Sequence, residues 1–515
     1  MTGSGSIAQV FWHALVFGLA PILQKLIGLV MLPLYTHALT PADYGAIEML
    51  TIITGLFGVV LRLELRSGFI RAWHAGDAAS QAALFAITAR LLLALGAAGA
   101  LVFLLSIGPL AQWLLGHRIG WEFRALLAVG LFADVLSSVF LSTLQAQLRS
   151  GAMVTLGVAQ FALSSGLTVL CVVGLRLGPF GFFIGGTAAS LAALVAMVAL
   201  RPLASAAASA AAHPPVVTPA GQLSELLRFS LPLMVGAILF FVVRNADRLA
   251  VSQLLSVSSL GLYAMAWSLA NILMTMVFMP LQASLDVWRF KMHGDGDRAR
   301  DFAAIFRISM LAIGVAAVFL ATLGTDLFAA VADPRFTYAV AYVPFLIVAV
   351  MLQAGYSIIA SAFYVSGATA QWSRIFAVGA AIQVAASVLL IPLLQIYGAA
   401  ASIILANLFL YCAAACRGAL LWRVPYDHAG VARLILLVFA CPTVRTALTV
   451  QWSVSALAAD VAALMLFALA LPVLCLVGAE DLRALGRLAR YNLGQRSVAR
   501  RAQAVPQTSF PTPDQ

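Results

Sequence analysis

Charge is the scarcest ingredient of this chain. Asp, Glu, Lys and Arg make up 10% of its 515 residues, where a soluble globular protein carries about 25%. Lysine is almost missing: Lys25 and Lys291 stand alone, and every other basic residue of the formal count is Arg. The cysteines, Cys171, Cys412, Cys416, Cys441 and Cys475, fall in or beside apolar segments. Cys412 and Cys416 share a helix face but lack a His or further Cys to complete a ligand set, so no metal site is expected. Catalytic signatures are absent too: no P-loop, no H-E-x-x-H and no G-x-S-x-G. The chain is therefore not read as an enzyme, and no cofactor is expected. His293-Gly294-Asp295-Gly296-Asp297 resembles the start of a calcium loop but lacks its continuing ligands and closing Glu, so it reads as a solvated turn. A cleavable signal pattern is missing as well. The first Lys or Arg is Lys25, inside an apolar run that continues for a full span, so the run reads as a retained helix.

What the chain has instead is apolar bulk. Hydrophobic residues make up 63% of it, more than a soluble fold can bury, so the bilayer is its solvent. Spans are expected near 14–36, 44–66, 83–106, 123–146, 152–175, 178–200, 228–250, 259–288, 303–331, 338–363, 372–394, 397–421, 431–449 and 454–478. The expected fold is all-α, a polytopic bundle of about fourteen transmembrane helices. Residues 201–227, rich in Ala, Ser and Pro at their start, read as a linker between two halves, 1–200 and 228–421. Residues 422–478 add two further spans, and 479–515 form a basic tail without the composition of a packed core.

The formal net charge is +11, but its placement argues for membrane orientation and against nucleic acid. With the N-terminus in the cytoplasm, that side collects Arg66, Arg71, Arg149, Arg201, Arg228, Arg289, Lys291 and the basic tail. The other side keeps only Arg118, Arg124, Arg176, Arg335 and Arg445. Both termini are then cytoplasmic. An internal repeat is also present: Ala38-Leu39-Thr40-Pro41-Ala42-Asp43-Tyr44-Gly45 resembles Leu254-Leu255-Ser256-Val257-Ser258-Ser259-Leu260-Gly261. An even number of spans separates the copies, which predicts two parallel six-helix lobes related by an axis along the membrane normal.

Several runs carry a family resemblance. Gln24-Lys25-Leu26-Ile27-Gly28, Leu32-Pro33-Leu34-Tyr35-Thr36 and Leu39-Thr40-Pro41-Ala42-Asp43-Tyr44-Gly45 resemble the opening of Wzx-type polysaccharide flippases. These belong to the multidrug/oligosaccharidyl-lipid/polysaccharide exporter superfamily. The second half opens similarly, with Phe229-Ser230-Leu231-Pro232-Leu233, Asp247-Arg248 and Leu260-Gly261-Leu262-Tyr263. His37 departs from the pattern, where the family more often has a basic residue. The resemblance implies two lobes forming a V around a central cavity, in the bacterial inner membrane. It implies alternating access for an undecaprenyl-pyrophosphate-linked glycan, with membrane lipids around it and a polysaccharide polymerase and chain-length regulator as partners.

Ionisable groups at membrane depth are costly and usually face a cavity. Five cations are candidates for a phosphate-bearing substrate: Lys25, Arg62, Arg90, Arg244 and Arg248. Each has a plainer alternative as an ion-pair partner or orientation anchor. Asp134, Glu48, Glu64 and Asp247 are candidates for ion coupling or gating. Asp134 has no basic residue within a turn, so it needs a partner on another helix or a proton. Asn271, Gln353, Tyr356, Tyr364 and Asn407 are neutral residues suited to a sugar path. Two rivals are weighed: a cation-coupled multidrug exporter of the same fold, and a membrane glycosyltransferase or polymerase. The first calls for an acidic cavity and the second for long outward loops, and the sequence has neither.

Overall fold

A computed structural model describes residues 5–116, 118–199, 219–282, 285, 296–453 and 455–473. The helices are α1 (Gly5–Ala38), α2 (Pro41–Arg62), the short α3 (Leu65–Ala75), α4 (Ala78–Leu115), α5 (Trp121–Ala146), α6 (Ser150–Val169) and α7 (Gly178–Ala199). They continue as α8 (Pro219–Leu254), α9 (Val257–Gln282), α10 (Gly296–Phe319, running on to Val331), α11 (Pro334–Val365), α12 (Thr369–Leu394), α13 (Ile396–Leu421), α14 (His428–Gln451) and α15 (Ala456–Val473). Among the described residues, 12 helices are long and apolar enough to cross a membrane. Helix α1 and the shorter apolar Leu457–Pro472 bring the bundle to the expected size.

Local chemistry explains the key boundaries. Pro41 opens α2, and Thr40 caps it with a capping box: the Asp43 amide donates to Thr40 Oγ1 at 3.1 Å and the Thr40 amide to Asp43 Oδ2 at 3.0 Å. Helix α9 starts alike, with the Ser259 amide donating to Ser256 Oγ at 3.0 Å. Thr40 and Ser256 occupy matching places in the repeat, so the repeat encodes two equivalent helix starts. The second span is not continuous to residue 66 as expected. Leu63 and Glu64 both take left-handed backbone, at φ 50° each, and α3 departs as a separate helix. The seventh span begins at Pro219, so the last residues of the expected linker are helical. Residues 201–218 of that linker and the tail 479–515 lie outside the described residues, as do Lys291 and the His293–Asp295 part of the expected turn.

Packing sorts the helices into two bundles. In the first, α4 packs on α5, α5 and α6 on α7, and α1 on α6. In the second, α12 packs on α13 and α8, and α11 on α13 and α9. The appended α14 and α15 pack on each other, and α14 rests on α10 and α11 of the second bundle. Between bundles, α2 crosses α9 and α8, while α3 and α4 meet α8. The α2–α9 crossing is the tightest of these. A Cβ on Gly45 would overlap the Val257 carbonyl, and one on Gly261 would overlap the Pro41 carbonyl. Gly45 matches Gly261 and Pro41 matches Val257 in the repeat, so the two contacts are equivalent and reciprocal. At the opposite end, the Arg71 guanidinium lies 4.8 Å over the Phe229 ring, joining α3 to α8.

Candidate functional site

The ionisable groups at membrane depth gather where the bundles meet. Glu48 lies two turns into α2, about 10 Å inside the end that carries the α1–α2 link. Arg248 lies at similar depth on α8, and its Nη1 pairs with Glu48 Oε1 across the bundles. The guanidinium also sits 5.4 Å over the Trp267 ring. Asp247 is fully buried. Its Oδ2 accepts from the Tyr263 hydroxyl at 2.5 Å and from Trp267 Nε1 at 3.4 Å, and its Oδ1 accepts from the Arg248 amide at 2.9 Å. These three donors satisfy the acceptors of the buried carboxyl group.

Lys25 reaches from α1 to α9. Its Nζ donates to the Ser268 carbonyl at 2.9 Å and to Ser268 Oγ at 3.5 Å. It lines a cavity of about 440 Å³ between the bundles, with Gln24, Tyr35, Tyr44, Phe161, Ser268 and Thr275. Among the described residues Lys25 has no carboxylate partner, the plain alternative for it: both its acceptors are neutral. Arg244 is exposed and lines a recess with Arg248, Trp267, Gln353, Tyr356 and Asn407. Among the described residues, Lys25 and Arg244 thus make no ion pair, while Arg248 pairs with Glu48.

Other candidates fall elsewhere. Asp134 finds its partner on another helix: Arg62 Nη1 donates to Asp134 Oδ2 at 2.9 Å, and both side chains are well exposed. Arg62 is therefore neutralised rather than a free cation, and its Nε donates to the Gly58 carbonyl. Glu64 sits in the left-handed break after α2, not in a helix. Arg90 is exposed on α4 and makes no ion pair or hydrogen bond among the described residues. On α8, Arg248 turns to Glu48 while Tyr263 and Trp267 hold Asp247.

Sequence reasoning missed three groups. Ser268 carries no signal as a lysine acceptor until α1 and α9 are brought together. Tyr263 and Trp267 lie one turn apart on α9, a spacing that puts both rings on one face. The third is an ionic cluster: Arg445 of α14 pairs with Asp326 of α10, and its Nε donates to Asp460 Oδ1 of α15 at 2.7 Å. Asp460 serves here to tie the appended helices to the second bundle through Arg445.

Two membrane-spanning bundles packed around cavities and charged groups at membrane depth make a multi-pass membrane protein. Solved structures share the fold at low identity. The lipid II flippase MurJ in an inward closed conformation superposes with a TM-score of 0.67 at 11% identity, covering 89% of this chain and 99% of that one. An inward-facing multidrug resistance MATE family transporter of the MOP superfamily gives 0.60 at 13%, covering 82% and 96%. A MOP superfamily transporter from Pyrococcus furiosus, described as having a binding pocket of reverse polarity, gives 0.57 at 12%, covering 81% and 96%. No curated protein matches the sequence. The family described as Polysaccharide biosynthesis protein matches residues 36–327, and the chain belongs to that family.

Proposed function

We propose that this protein flips an undecaprenyl-pyrophosphate-linked oligosaccharide from the cytoplasmic to the periplasmic leaflet of the bacterial inner membrane. The product would feed assembly of a surface polysaccharide such as O-antigen, capsule or exopolysaccharide. A polymerase and a chain-length regulator would act downstream. Both termini face the cytoplasm in this reading, as the distribution of basic residues favours.

The observation that carries the proposal is a pair of deep cations, Lys25 and Arg244, without a carboxylate partner among the described residues. Lys25 has only neutral acceptors, and Arg244 lines a recess with no ion pair of its own among the described residues. An uncompensated cation at membrane depth is costly unless an anion visits it. A pyrophosphate supplies that anion, and Arg can grip it bidentately. Membership of a polysaccharide biosynthesis family supports the class of cargo. Glu48 remains a candidate for gating because its partner Arg248 lies across the bundle interface, and Asp247 because it adjoins Arg248. The rival, a cation-coupled drug exporter, rests on the fold alone; the cavity carboxylates it needs are already paired.

Lys25→Glu and Arg244→Gln test the proposal in cells whose surface glycan depends on this protein. Each should cut glycan export roughly tenfold or more, the scale of one lost charge-assisted hydrogen bond, with the protein still in the membrane. Normal surface glycan in both variants would sink the phosphate role.

A further inference from the structure

Within the second bundle lies a cavity of about 440 Å³ that holds none of the charged groups described above. Its volume falls in the range of small-ligand sites, about 300–1,000 Å³. Five aromatic rings wall it: Phe240 of α8, Tyr356 and Tyr364 of α11, and Trp372 and Phe376 of α12. The Phe240 and Phe376 rings lie 6.0 Å apart and only 31° from parallel. Tyr356 meets Phe376 edge-on at 6.3 Å, and Trp372 meets it at 5.9 Å. Tyr356 and Trp372 are buried in this wall, while Phe240 and Tyr364 keep 45% and 40% of their surface exposed.

Polar groups interrupt the rings. Gln282, Ser357 and Ser373 line the same cavity, together with the two tyrosines. Ser357 Oγ donates to the Gln353 carbonyl at 2.7 Å and Ser373 Oγ to the Thr369 carbonyl at 3.1 Å. Each of those hydroxyls has spent its hydrogen, so toward a ligand it acts as an acceptor. No charged residue lines the cavity among the described residues. That lining suits a neutral ligand with flat apolar faces and many hydroxyl donors. A fatty chain would make no hydrogen bond to the polar groups, and a cation would find no carboxylate.

The cavity joins the basic recess. Phe240 and Tyr356 line both spaces. Phe240 and Arg244 are one turn apart on α8, and Tyr356 and Gln353 one turn apart on α11. Gln353 and Asn407 stand on the recess side. The recess lined by the Arg244 cation and the neutral, aromatic cavity therefore lie next to each other, in the order of the two ends of a sugar phosphate. We infer that this cavity is a saccharide site, taking a pyranose ring on Phe240 and Phe376 while Arg244 holds the adjoining phosphate. The ring's C–H face lies on the aromatic walls and its hydroxyls donate to Ser357 and Ser373. The inference rests on the flippase reading for the phosphate, and adds the substrate class recognised beside it.

Saturation-transfer NMR on the full chain in lipid nanodiscs tests it directly. The probes are the methyl glycosides of glucose, galactose and N-acetylglucosamine, glucose 1-phosphate, and tetramethylammonium. Transfer is expected to the ring C–H protons of at least one glycoside and of glucose 1-phosphate. Phe240→Ala and Phe376→Ala should each weaken binding of both kinds of sugar roughly 2- to 10-fold, the scale of one aromatic contact. Phe240→Tyr should restore it. Arg244→Gln should weaken glucose 1-phosphate and leave the methyl glycosides unchanged. Phe240 keeps 45% of its surface exposed, and an unchanged elution profile of the variants confirms the fold. No transfer to any sugar, no effect of Phe240→Ala, or displacement of the sugars by tetramethylammonium overturns the site. The two readings fail separately. Export lost in Arg244→Gln with no sugar contact removes the saccharide site and keeps the flippase. Sugar contacts intact with export unaffected by Lys25→Glu and Arg244→Gln removes the flippase and keeps the site.

Discussion

Glu48 and Arg248 belong to different bundles, so their ion pair reports on the bundle interface and not on either helix. Both side chains keep some exposure, at 21% and 15%. Glu48→Gln leaves the Arg248 guanidinium beside Trp267 with one acceptor fewer. The expected loss is about 2–3 kcal/mol, the lower end for breaking a buried pair because solvent reaches both groups. Thermal unfolding in detergent reads it. The Arg62–Asp134 pair is a contrast, since its side chains are 36% and 54% exposed. Asp134→Asn should change stability by less than about 1 kcal/mol. That makes it a clean probe of ion coupling. If Asp134 couples transport, the Asn variant keeps its melting temperature and loses the pH or sodium dependence of transport; retained dependence removes it from that role.

Among the helices, the α2–α9 crossing depends on two missing side chains. Gly45→Leu or Gly261→Leu must push the helices apart, because any Cβ at either glycine meets the facing backbone. Each should lower the melting temperature, while Gly186→Ala, whose added carbon meets nothing within 4 Å, should leave it at or above the starting value. Equal effects at all three positions would mean the crossing is not a close backbone contact. The same end of the molecule holds the α10–α11 link. There the Asp333 amide donates to Thr36 Oγ1 of α1 at 3.3 Å, and Arg335 Nε donates to Asp333 Oδ1 at 2.8 Å. Hydrogen bonds from the Arg335 side chain and amide hold the Asp333 carboxyl down at about 2, below the usual value of about 3.9. A depressed carboxyl contributes stability above its unfolded pKa and loses it as pH falls through its folded one. The stability gap between the wild type and Asp333→Asn should therefore be full above about pH 4 and close between about pH 4 and 2. A gap that persists at pH 2 would contradict the assignment.

Across the whole molecule, the appended helices are attached by charge as well as by packing. Arg445 bridges Asp326 of the second bundle and Asp460 of α15, and Asp460 is nearly buried at 4% side-chain exposure. Removing the guanidinium leaves two carboxylates facing each other without a counter-ion. Arg445→Ala should free α14 and α15 from α10, seen as faster hydrogen exchange in residues 428–473 with the rest of the chain unchanged. Protection that does not change would show that apolar packing alone holds them. This arrangement also explains how a pair of helices beyond the two bundles can stay docked without a long link of their own.

Apolar bulk and the scarcity of charge determined the membrane, the all-helical class and nearly every span, because a bilayer accepts only long apolar helices and each declares itself locally. The repeat around Pro41–Gly45 and Val257–Gly261 was legible for the same reason: caps and small residues are written into short stretches of chain. Pairing was not legible. Whether Lys25 met a carboxylate or a serine, whether Asp134 stood alone, and whether Arg248 turned to Asp247 or to Glu48 depended on which helices became neighbours, and no local pattern carries that choice. Nor did the sequence reveal that Phe240, Tyr356, Trp372 and Phe376, drawn from three helices, close around one cavity beside Arg244. Only the packing of the bundles decides which costly charges cancel at short range and which remain for an anion, because electrostatic and stacking energies fall off over distances that helices far apart in sequence must first close.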